Sequence, residues 1–125
     1  MEAKTRYSDD ELKEFEAIID EKLKKAEEEL AYYQKQISEL AENDGTKIKG
    51  LDDGVGTIES TRLQQMASRQ RKLIQHLNNA KMRVNNKVYG ICRETGKLIS
   101  KARLRAVPHA TLSIEAKQKQ VPKVK

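Results

Sequence analysis

Tyr89-Gly90-Ile91-Cys92-Arg93-Glu94-Thr95-Gly96-Lys97-Leu98-Ile99, running on through Arg103-Leu104-Arg105-Ala106-Val107-Pro108-His109-Ala110, is a turn-rich stretch in a chain otherwise patterned for helix. Tyr89 and Ile91 alternate with smaller residues, and Arg93 to Gly96 form a loop before Leu98-Ile99. That pattern predicts a short hairpin, with Gly96 supplying the positive φ. Pro108 breaks the chain, and Thr111 then caps a last short helix reaching about Gln120. Burial of Tyr89, Ile91, Leu98, Ile99, Leu104, Leu112 and Ile114 is expected to hold this unit. So small a core is marginal alone and should lean on neighbouring helices.

Upstream, the spacing predicts those helices. Ser8-Asp9-Asp10-Glu11 is a capping box, and Tyr7 and Leu12 occupy the staple positions on either side of it. From there Leu12, Phe15, Ile19, Leu23, Ala26, Leu30, Tyr33, Ile37 and Leu40 mark an apolar seam that takes on coiled-coil spacing from Leu23 onward. The helix is expected to end near Ala41, before Asn43-Asp44-Gly45. Residues 43–56 carry four of the chain's six glycines and read as a connector. A second helix is expected from Thr57 to about Asn85-Asn86, with the seam Leu63, Met66, Gln70, Leu73, Leu77, Ala80 and Val84. Gln70 is a polar seam residue of the kind that fixes register.

Neither narrow stripe makes a stable isolated helix, so each needs a partner. A short link folds them back on each other. The expected fold is therefore mainly α: a long antiparallel coiled-coil hairpin with a small C-terminal zinc-finger-like unit of short β-hairpin plus short helix. Its parts are a frayed N-terminus (1–7), the hairpin (8–87, tip at 43–56), the finger-like unit (88–120) and a basic tail (121–125). By helix rise the tip lies about 45–50 Å from the finger-like unit.

Tyr89, Gly90, Cys92, Gly96, Ile99, Arg103, Leu104, Ala106, Pro108 and Ala110 fall, in order, where the DksA/TraR family of bacterial transcription factors carries its fixed finger residues. The stretch resembles the C-terminal zinc finger of that family. The departure is in the metal positions, which here are Cys92, Thr95, Ser113 and Ala116. Structural zinc takes four ligands, nearly always thiolate or imidazole, so this finger is read as degenerate and zinc-free, with no cofactor and with Cys92 as a small buried apolar residue. The resemblance implies a regulator that binds RNA polymerase and inserts its coiled-coil tip into the secondary channel. The acidic pair Asp52 and Asp53 would then sit near the catalytic centre, although the family's own tip spacing is not reproduced. Carboxylates there could meet a magnesium site or basic groups, or could simply solvate a turn. The resemblance also raises polymerase or guanosine tetraphosphate contacts, for which the basic candidates are Arg69, Lys97, Lys101, Arg103 and Arg105.

Charge and chemistry bound the alternatives. Residues 1–43 hold 7 Lys/Arg against 13 Asp/Glu, and residues 57–125 hold 16 against 3. Acidic and basic halves favour pairing within one molecule, and the surplus positive charge suits an acidic surface or nucleic acid. One cysteine excludes an internal disulfide and suits a reducing cytoplasm, and no apolar run is long enough to span a bilayer. No phosphate-cradling loop, nucleophile–base pair or metal-ligand cluster is legible, so no enzyme is expected. A monomeric polymerase-binding regulator is the leading reading. A basic nucleic-acid-binding protein and a structural coiled-coil adapter remain open.

Overall fold

The computed structural model describes residues 6–46 and 53–120. Helix α1 is Asp9–Thr46, α2 is Asp53–Asn85, α3 is Lys101–Ala106 and α4 is Ile114–Gln120. The architecture is two long helices packed together, followed by a compact segment with two short ones. The chain forms two compact units: Met1–Lys22 with His76–Lys125, and Leu23–Gln75.

The start of α1 is built as its residues dictate. Ser8 N–H donates to Glu11 Oε1 at 2.9 Å, and Glu11 N–H donates to Ser8 Oγ at 3.2 Å. Tyr7 and Leu12 are each 4% exposed, so the staple is closed. Tyr7, assigned by sequence to the frayed end, is thus a core residue. Its hydroxyl donates to the carbonyl of Ile99, and its ring meets Phe15 edge-on at 5.3 Å. Phe15 in turn packs against Tyr89, also at 5.3 Å. The first unit therefore has an aromatic core to which the N-terminus, α1 and the turn-rich stretch each contribute. Within it, Asp20 pairs with Lys81 and Asp9 with Lys87. Moving back along α1 moves the partner forward from α2 to the residues just after it, which makes the two antiparallel.

In the Leu23–Gln75 unit the seam is buried at Leu23, Ala26 and Leu63, and at Ala67, a position the periodicity passes over. Leu30, Tyr33, Ile37, Leu40, Met66, Gln70 and Leu73 are half-buried. Both helices are longer than expected. α1 continues through Asn43-Asp44-Gly45 to Thr46, and α2 begins at Asp53, taking Gly54 and Gly56 into its first turn. Helix propensity is a weak local preference, about 1 kcal/mol for glycine, and extension of an established helix overrides it. The remaining connector, residues 47–52, lies outside the described residues.

The end of α2 matches expectation and uses an unusual residue. Val88 N–H donates to Arg83 C=O and Lys87 N–H to Val84 C=O, each at 3.0 Å. This is a Schellman pattern, with Lys87 at φ 63° where glycine is usual.

Candidate functional site

The turn-rich stretch closes around Cys92. Its N–H donates to Lys97 C=O at 2.7 Å, and Gly96 N–H donates back to Cys92 C=O at 2.8 Å. Gly96 has φ 73° as the turn requires, and Gly90 has φ 82°. The strand pairing amounts to one antiparallel bridge, Ile91 with Leu98, instead of a ladder. A Cβ on Gly90 would lie 2.7 Å from the Tyr7 ring, so that ring and the backbone share one space.

Three hydrogen bonds tie the following segment to this turn and to α3. Arg93 N–H donates to Thr111 C=O at 2.8 Å, Arg103 Nε–H to Leu112 C=O at 2.8 Å, and Ser113 N–H to Cys92 Sγ at 3.3 Å. Cys92 Sγ also lies 3.7 Å from Ser113 Oγ. Ser113 is the cap of α4, its Oγ accepting from Ala116 N–H at 3.1 Å; the cap is not Thr111. Serine two residues later competes better because its side chain serves the helix while its backbone serves the thiol. Ile114, expected in the core, is 50% exposed, since a cap at Ser113 turns Leu112 and Ala116 inward. Helix α3 is capped by Ser100, whose Oγ accepts from Arg103 N–H at 3.2 Å. Ser100, a favoured N-cap residue, was the available signal for that helix.

The donor set around Cys92 does not fit zinc. One thiol stands with two hydroxyls and a methyl group, and a tetrahedral site wants thiolate or imidazole at all four corners. Among the described residues no group of three or more His, Cys, Asp or Glu is placed to hold a metal. Cys92 is 1% exposed. Burial pushes its thiol up, but hydrogen bonds from Thr95 and Ser113 together outweigh burial and bring it down to about 6.

Residues 87–122 match the family model of the prokaryotic dksA/traR C4-type zinc finger. General stress protein 16O of Bacillus subtilis is 30% identical over 100 residues, covering 76% of this chain and 61% of that protein. The RNA polymerase-binding transcription factor DksA of Caulobacter vibrioides is 51% identical over 51 residues, 41% of this chain and 36% of that protein. The solved structure of transcription factor DksA2 from Pseudomonas aeruginosa superposes with a TM-score of 0.78 at 24% identity, covering 87% of this chain and 81% of that one. The finger segment, residues 87–122, is of the DksA/TraR type.

The matched region spans about three-fifths of the Bacillus relative and about a third of the Caulobacter one. The other residues of interest are dispersed along the chain. Asp52 lies outside the described residues, and Asp53 is the first residue of α2. Arg69 is exposed on α2, near a shallow groove lined by Gln34, Ile37, Gln64, Ser68 and Arg71. In the other unit Lys97 is exposed beside Gly96. Lys101, Arg103 and Arg105 sit together on α3, each engaged: Lys101 with Glu11 at 2.7 Å, Arg105 with Glu14 at 3.3 Å, and Arg103 with Leu112 as above. The Glu11 hydrogen bond raises the pKa of Lys101. Among the described residues no helix is long and apolar enough to cross a membrane.

Proposed function

We propose that this chain is an RNA polymerase-binding regulator of transcription that acts through its coiled-coil tip and folds its finger without metal. The observation carrying this reading is the pairing of a DksA/TraR finger sequence with two long helices in the DksA2-like fold. In this reading residues 43–56 enter the secondary channel, and Asp52 and Asp53 act near the catalytic magnesium or adjacent basic groups. Arg69 and the α3 cations, with Lys97, meet the polymerase rim or guanosine tetraphosphate. Lys101 and Arg105 would exchange exposed ion pairs, worth little each, for contacts with an anionic partner. The protein works as a monomer. In place of zinc, the bonds linking Cys92, Arg93 and Arg103 to residues 111–113 hold the finger.

Competition binding to core RNA polymerase tests the partner. Saturable binding that displaces a fluorescent family member is expected; recovery of nucleic acid alone would overturn it. The tip is tested by Asp52→Asn with Asp53→Asn, which removes charge while keeping size. Polymerase affinity should stay close to wild type while the effect on transcription in vitro is largely lost. An unchanged transcriptional effect would leave the pair as a turn. For the finger, elemental analysis should find no stoichiometric zinc and a chelator should leave melting unchanged.

A further inference from the structure

His109 follows buried Pro108, whose carbonyl accepts from Tyr89 Oη at 2.8 Å, and its own carbonyl lies 3.5 Å from Arg83 Nη2. Its ring stacks on His76 of α2, with centroids 5.6 Å apart and planes 11° from parallel. Ring-nitrogen lone pairs lie in the ring plane, and two parallel rings so separated do not aim them at one metal ion. His109 Nδ1 is buried with no hydrogen-bond partner among the described residues. A neutral ring tolerates that; a protonated one would hold a buried N–H and a charge with nothing to receive either. The charged and titratable groups facing it come from every packed element: Lys22 of α1, His76 and Arg83 of α2, and Lys117 of α4. All are cationic or become so on protonation, and Tyr89 beside Pro108 is a neutral phenol. Arg83 is half-buried and committed to the same backbone.

We propose that the His76–His109 stack is an acid-operated latch: when His109 takes up a proton, residues 107–113 release from α2 and the finger segment loosens. The helix pair of residues 23–75 stays folded. Swinging His109 out hydrates the new charge; it breaks the Arg83–His109 hydrogen bond to α2 and the Tyr89–Pro108 bond, and strains those that tie residues 111–113 to Arg93, Arg103 and Cys92. Burial first, then the surrounding cations, lowers the His109 pKa. The unfolded chain therefore binds the proton more readily, and the latch weakens as pH falls below the ordinary histidine value of about 6.5. Above that value it is fully closed.

Amide hydrogen exchange of the whole chain, corrected for intrinsic rates, tests this between about pH 7.5 and about pH 5. Protection across residues 107–113 should fall about tenfold in wild type while α1–α2 amides of residues 23–75 change little, and His109→Leu should lose less than about twofold. An equal acid response in His109→Leu would overturn the proposal and shift the effect to another group, Cys92 included. Ring titration of wild-type His109 by NMR is independent of whether that variant folds. A midpoint below about 6.5 that tracks the exchange change is expected, and a midpoint at or above it would also overturn the proposal.

Discussion

Gly90 is the tightest point of the first unit, because it holds a left-handed φ and the Tyr7 ring lies where its side chain would be. Gly90→Ala combines left-handed strain with overpacking and should destabilise by about 2–4 kcal/mol, read as a lowered denaturation midpoint. Lys87 presents the reverse case. It holds φ 63° at the end of α2, and its ion pair with Asp9 is exposed. Lys87→Gly relieves the strain and loses little, so a gain of about 0.5–1 kcal/mol is expected in chemical denaturation. Ser113→Ala removes a helix cap, worth about 1 kcal/mol, together with a hydroxyl beside the Cys92 sulfur. Cys92 should titrate at about 6 in wild type and higher in the variant, as followed by thiolate absorbance. Because the folded pKa is the depressed one, the thiolate's contribution to stability is complete above the ordinary thiol range and disappears as pH falls through about 6.

At the scale of elements, the polar seam residue is the informative one. Gln70 Oε1 is buried without a partner among the described residues, while Ala67 beside it carries the packing. Gln70→Leu should raise the melting temperature, by roughly 1 kcal/mol of stability, provided register is kept; a second helical species in sizing or NMR would mean that the glutamine sets register. Much at this scale was legible. The capping box, the staple, most of the seam and the end of α2 are local patterns with one physical reading. The early start of α2 was not, since Gly54 and Gly56 argue against helix and only extension overrules them. The cap of α4 was missed because Thr111 and Ser113 both qualify as caps by type. The choice depends on where Cys92 lies in space.

For the molecule as a whole, the acidic first helix and basic second half do meet, through Asp9–Lys87, Asp20–Lys81, Glu11–Lys101 and Glu14–Arg105. These pairs are largely exposed, so they direct pairing more than they stabilise it. Raising salt from about 0.05 to about 0.5 M should shift the melting temperature by only a few degrees; a collapse of the fold at high salt would assign the pairs a larger share. The site was readable in the sequence as four positions and their departures from the metal pattern. What replaces the metal, a serine serving both thiol and helix, depends on a loop whose path no periodicity encodes.

The bond from Tyr7 to Ile99 spans 92 residues, which gives the protein a timetable. A ribosome adding about 5–20 residues per second delivers Tyr7 and Phe15 several seconds before Ile99 and Tyr89, their partners in the aromatic core. The helix pair of residues 23–75 can form in that interval, because everything it needs has already been made. The first unit cannot. Its N-terminal apolar face stays uncovered during elongation, open to chaperones and proteases, until Tyr89 and Ile99 have been made. A chain stalled before Tyr89 would therefore be marked for destruction by its own beginning.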